Sequence, residues 1–116
     1  MSYVIKFGQL RGLTPEEAYQ QGKVKELTEL RDILKENFKN PKYAKYKEMN
    51  LEGYLAIEKV LLENYQKLLK KFHELFEHLS EKQKKATYQN IDNDVFYNND
   101  ILGIQKIIRN IESLLK

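Results

Sequence analysis

LEGYLAIEKVLLENYQKLLKKFHELFEHL, Leu51 to Leu79, is the stretch that decides the fold. Tyr54, Leu61, Tyr65, Leu68, Phe72, Leu75 and Leu79 recur at spacings of three, four and seven, with only Glu58 breaking the line. A period near 3.6 puts these side chains on one face of a helix, whereas a strand would require alternation. At 1.5 Å per residue a helix of this length is about 43 Å long. A compact domain of this size has a radius of gyration of about 13 Å. The expectation is therefore a helix that protrudes, bends, or is covered by two shorter helices end to end, and a protruding apolar stripe needs a partner. Leu55, Leu62, Leu69 and Phe76 are the candidate partner-facing residues.

Working outward toward the N-terminus, Asn40-Pro41 reads as a stop and restart, because proline disfavours helical backbone in the residue before it. Lys42 to Met49 is compatible with helix, and Asn50 stands where an N-cap of the long helix would; the pattern leaves open whether 41–49 and 51–79 are one helix. Val24, Leu27, Leu30, Ile33, Leu34 and Phe38 form a second amphipathic helix. Thr14-Pro15-Glu16-Glu17 is a helix start, with proline at the first position and a capping box from Thr14 to Glu17. Gly22 predicts an end or bend near Gln21. Residues 1–13, with Tyr3, Val4, Ile5 and Phe7 ahead of Gly8 and Gly12, read as a short extended arm.

Toward the C-terminus, Ser80 to Gln83 is a second capping box, opening a helix over 81–91. The turn-forming residues of 92–99 predict a loop whose aromatics fold back on the core. Asp100 caps a last helix with Ile101, Ile104, Ile108, Ile111 and Leu115 in line, flanked by Ile107 and Leu114. The fold class is all-α: a small antiparallel bundle of four to five helices built on the central helix 51–79, in a single domain spanning 1–116.

Composition narrows function by exclusion. The chain of 116 residues has no cysteine, which removes thiol catalysis and cysteine-based zinc sites and makes the cytoplasm the expected compartment. The longest purely apolar run, Val60-Leu61-Leu62, is far short of the roughly 20 residues of a membrane span. The first ten residues lack the apolar core of a secretory signal. A net charge of +3 permits an anionic partner without demanding one. Abundant Lys, Asn, Ile and Tyr with little Ala, Gly or Pro is the bias of AT-rich coding sequence, as in low-GC bacteria and their phages.

Motifs for chemistry are few. His73 and His78 lie five apart, about 140° round a helix, so they cannot chelate one ion as an i, i+4 pair does. Asp92-Asn93-Asp94 lacks the glycine and the distal glutamate of a calcium loop. Glu16 and Glu17 suit the first turn of a helix. No catalytic residue, metal site or cofactor is expected, and no enzyme. The segment Lys39-Asn40-Pro41-Lys42-Tyr43-Ala44-Lys45-Tyr46-Lys47 interleaves lysines with tyrosines, as surfaces that bind phosphates and stack unpaired bases do. The competing reading packs Tyr43, Tyr46 and Met49 inward. Lys82, Lys84 and Lys85 form a second basic cluster.

In size, basicity and helix order the chain resembles small helical bundles such as bacteriocin immunity proteins, phage accessory proteins and helical subunits of nucleic-acid machines. The likeness includes no diagnostic motif. The leading expectation is a non-catalytic helical interaction protein, an adaptor, inhibitor or assembly subunit that holds a protein partner or a second copy of itself. The alternative is a small nucleic-acid-binding subunit using Lys39, Lys42, Tyr43, Lys45, Tyr46, Lys47, Lys82, Lys84 and Lys85.

Overall fold

The computed structural model describes residues 10–116; the arm expected over residues 1–13 lies, up to residue 9, outside them. Among the described residues the chain is all-α, with six α-helices, one 3-10 helix and a single isolated bridge. The helices are α1 (Pro15–Gln20), α2 (Val24–Lys39), the 3-10 helix Pro41–Tyr46, α3 (Lys47–Phe76), α4 (Glu81–Asn90), α5 (Asp94–Tyr97) and α6 (Ile101–Leu114). The contacts divide into two compact units, with the boundary inside α3 after Leu61.

The first unit opens on a tight turn. Leu10 and Leu13 exchange both backbone hydrogen bonds at 2.9 Å, while Arg11 (φ 52°) and Gly12 (φ 83°) both occupy left-handed backbone. Two successive positive φ values define a type I′ turn, a conformation glycine adopts freely and arginine does not. The capping box then forms: the Glu17 N–H donates to Thr14 Oγ1 and the Thr14 N–H donates to Glu17 Oε1, both at 3.2 Å. Helix α1 ends one residue before Gln21. Gly22 (φ 78°) is the left-handed residue past its end, its N–H reaching Tyr19 O at 2.9 Å and the Lys23 N–H reaching Ala18 O at 3.0 Å. This double bond is a Schellman cap, so Gly22 terminates a helix rather than weakening one.

Helices α2 and α3 run antiparallel in this unit: Phe38 meets Tyr54 (5.8 Å between ring centroids), and one helical stretch away Arg31 meets Glu58 at 3.7 Å. Ala18, Leu27, Leu34 and Ile57 are fully buried, with Val24, Leu30 and Leu61 nearly so. Glu58, the polar break in the stripe, is accounted for by its neighbours. Beyond burial, its carboxylate raises the pKa of the Tyr54 hydroxyl one turn back and faces the Arg31 guanidinium.

The long helix begins at Lys47, four residues earlier than the sequence pattern suggested, and ends at Phe76, three residues earlier. Asn50 is not its N-cap. The Asn50 side-chain amide donates to Tyr46 O, four residues back, at 3.0 Å, a bond made from inside a helix, and the residue is buried. A cap would instead accept from a backbone N–H two or three residues on. At the other end, His78 and Leu79 bond three residues back rather than four, tightening the last turn before Ser80 takes up extended backbone and opens α4.

The second unit contains the rest of α3 with α4, α5 and α6. Tyr65, Phe72, Phe76, Leu79, Val95, Ile101, Ile104, Ile108 and Ile111 form its core. Residues 92–99 are not purely a loop. Asp92 Oδ1 accepts from the Asp94 N–H at 3.0 Å and Asp92 O accepts from the Val95 N–H at 3.0 Å, which starts the one-turn helix α5. Asn99 (φ 51°) ends it, the Asp100 N–H returning to Val95 O at 2.9 Å. Val95 is buried and Phe96 packs on Phe72 (5.7 Å), as the sequence pattern implied for the aromatics of this stretch, but Tyr97 points outward and is exposed.

Candidate binding surfaces

The 3-10 helix of the first unit carries the first basic segment. Asn40 Oδ1 accepts from the Lys42 N–H at 2.9 Å and Pro41 occupies the first position, so the turn is fixed locally by its own sequence. At three residues per turn, Lys42 and Lys45 fall in one row and Tyr43 and Tyr46 in the next. None of the six residues is buried. Tyr43 and Met49 are half-buried, while Tyr46 remains 47% exposed. The inward-packing reading therefore holds in part for Tyr43 and Met49 and fails for Tyr46. Lys42 and Lys45 each place an ammonium 5.7–5.8 Å from the ring of the following tyrosine. Lys39 and Lys47, at the ends of the flanking helices, are exposed.

The second basic cluster lies in the second unit, on a hollow of about 620 Å³ lined by Phe76, Glu81, Lys82, Lys84, Lys85 and Tyr88. Lys84 is held in place: its ammonium is 3.7 Å from both Glu77 and Glu81 and 5.8 Å from the Phe76 ring. Lys82 and Lys85 are exposed and pair with no carboxylate among the described residues. Phe76 is 8% exposed, its ring taken up by Phe72 at 5.5 Å and, edge to face at 73°, by Tyr88 at 5.1 Å. Tyr88 itself is 65% exposed.

Of the other candidate interface residues, Leu55 is 54% exposed in the first unit, Leu62 is 38% exposed in the second, and Leu69 is half-buried. The stripe that suggested a partner is itself covered: Leu61, Tyr65, Phe72 and Leu79 are buried and Tyr54, Leu68 and Leu75 are half-buried. A smaller apolar cleft does remain open between α4 and α6 of the second unit, about 200 Å³, lined by Ala86, Thr87, Asn90, Ile91, Ile107, Asn110 and Leu114. Sequence reasoning passed over this cleft and Tyr88. The signal for the cleft was the pair Ile107 and Leu114, seven apart and beside the core line of α6; for Tyr88 it was the aromatic four residues beyond Lys84.

The histidines are apart from any such feature. His73 is exposed, its ring 5.2 Å from that of Phe72, and His78 lies beyond the end of α3. Among the described residues no group of three or more His, Cys, Asp or Glu could hold a metal ion, and no helix is long and apolar enough to cross a membrane. Burial raises the hydroxyl pKa of Tyr19, Tyr54 and Tyr65, with nearby carboxylates (Glu16, Glu58 and Asp100 respectively) adding to the effect. No known protein family, curated protein or solved structure matches the chain.

Proposed function

We propose that the protein is a non-catalytic helical interaction protein, an adaptor, inhibitor or assembly subunit that takes apolar side chains of a protein partner into the cleft between α4 and α6. The observation that supports this is the lining. In a chain with 32% charged residues, none of the seven residues around the cleft carries a charge. Thr87, Asn90 and Asn110 supply neutral hydrogen-bonding groups around Ala86, Ile91, Ile107 and Leu114, an arrangement suited to an apolar anchor with a polar surround. Leu62 is a further exposed apolar side chain of the same unit. The test compares wild-type protein with Leu114→Glu and Ala86→Glu as baits in the native cell, both positions being exposed. A stoichiometric partner held by the wild type and lost by both variants supports the reading. Identical sets of bound proteins from all three baits refute it.

A second reading, nucleic-acid binding, is favoured by one observation: the Pro41–Tyr46 turn contributes no buried residue, yet it displays Tyr46 beside Lys42, Lys45 and Lys47. It predicts binding to single-stranded nucleic acid that weakens steeply with salt and is lost in the triple variant Lys42→Gln/Lys45→Gln/Lys47→Gln.

A further inference from the structure

We infer that the hollow formed by Phe76, Lys82, Lys84, Lys85 and Tyr88 in the second unit is a binding site for one unpaired nucleotide of a single-stranded nucleic acid, with Tyr88 as the stacking platform. The inference rests on the second reading above and adds to it a defined subsite remote in sequence from the Lys39–Lys47 segment. Three features of the hollow fit such a ligand. Its volume, about 620 Å³, is within the range of roughly 300–1,000 Å³ that holds small ligands. Its platform is oriented before binding: the edge-to-face contact with buried Phe76 fixes the plane of Tyr88 while leaving most of that ring in solvent. Its charges are divided by role. Lys84 is tied by Glu77 and Glu81 over the Phe76 ring and so shapes the wall, whereas Lys82 and Lys85 keep unpaired ammoniums to meet phosphates.

An aromatic face flanked by free lysines is the arrangement that binds bases by stacking and backbone by charge, largely without regard to sequence. An acidic peptide would use the lysines and leave Tyr88 idle, so the exposed ring favours a nucleotide. Glu81 on the rim limits the net positive field of the hollow and requires the contact to be short-range.

The experiment is fluorescence anisotropy of the full chain with a labelled oligothymidylate of about twelve nucleotides at about 25 mM NaCl, repeated at rising salt. Tyr88→Ala is expected to weaken binding about tenfold and Tyr88→Phe to stay within about twofold, since only the ring is required. Lys82→Gln/Lys85→Gln should lower the slope of log K against log salt by about 1.4, or about 0.7 per lost phosphate contact. Circular dichroism checks that the variants, all altered at exposed positions, keep the wild-type helix content. If Tyr88→Ala binds like wild type, or if only Lys42→Gln/Lys45→Gln/Lys47→Gln loses binding, the inference fails while nucleic-acid binding stands. If wild type does not bind the oligonucleotide at low salt, both fail. If polyglutamate of matched charge displaces the oligonucleotide as well as unlabelled oligonucleotide does, the hollow belongs to an acidic protein and the inference is overturned.

Discussion

Replacing Gly103 by alanine sets three effects of known size against one another. Gly103 is the third residue of α6, and a Cβ there would stand 2.7 Å from Val95 Cγ2 and 2.7 Å from Asp100 Oδ2. Ordinary carbon contacts are about 3.5–4.0 Å. Alanine gains up to about 1 kcal/mol of helix propensity over glycine. Against this, Val95 is buried and β-branched, with one stiff torsion and little room to move, so overpacking costs about 1–3 kcal/mol. The Asp100 carboxylate could turn aside, but its other oxygen accepts the Gly103 N–H at 3.1 Å as the helix cap, and losing a cap costs about 0.5–2 kcal/mol. The costs win, by about 2 kcal/mol. With an unfolding entropy of about 2.1 cal/mol/K per residue, each kcal/mol moves the Tm of a chain this long by about 4 °C, so Gly103→Ala should melt about 8 °C lower. Thermal melts followed by circular dichroism measure this directly. Adding Val95→Ala tests the cause: with Cγ2 gone, the double variant should be more stable than the sum of the two single losses. A Gly103→Ala protein that melts at or above the wild-type temperature would falsify the clash.

Other expectations follow from the same geometry. Ile111 is fully buried and Leu114, one turn on, is exposed, so Ile111→Ala should lose about 2–5 kcal/mol in urea unfolding and Leu114→Ala less than about 0.5, leaving the latter a clean probe of the cleft. Tyr65 has its pKa raised above 10.0, first by burial and then by Asp100, so the folded state holds this proton more tightly than the unfolded. Its contribution is fully present below pH 10 and lost as pH rises through the folded-state pKa; Tyr65→Phe should therefore show a smaller drop in urea midpoint between neutral pH and pH about 11 than wild type. Arg11→Asn places a residue that tolerates left-handed backbone at the first central position of the Leu10–Leu13 turn and should raise the Tm by a few degrees, whereas Gly12→Ala, at φ 83°, should lower it.

Helix signals local to the chain were legible because their chemistry is local. Thr14, Ser80 and Asp100 each cap the helix their spacing announced, since a cap and its N–H partner lie within three residues. Asn50 misled for the same reason: an asparagine before an apolar run looks like a cap, and only the helical path through Lys47 turns its amide back to Tyr46. The length of α3 left three outcomes open, and coverage of its stripe is the one seen. Length says how much apolar face must be covered but not by what, and the buried face proved to be covered while α4 and α6 left their own cleft open. That cleft combines residues some twenty positions apart in sequence, which periodicity within one helix does not connect. Lys82 and Lys85 of the second basic cluster are exposed, whereas Lys84 is half-buried and tethered by Glu81 and by Glu77, across the turn between two helices, which the spacing of the lysines alone does not show.

The contact of Arg31 with Glu58 has little to offer stability, being long at 3.7 Å and open to water. Its weight is in what it excludes. Sliding α2 along α3 by one turn, about 5.4 Å, would still set apolar residues of α2 such as Leu27, Leu30 and Leu34 against Ile57 and Leu61 of α3. It would also carry the Arg31 guanidinium out of reach of the Glu58 carboxylate, while Tyr54, on the same helix as Glu58, stays beside it. A single acidic residue in the stripe thus acts as an index mark, adding a small preference of charge for one alignment of the two helices to the preference set by packing.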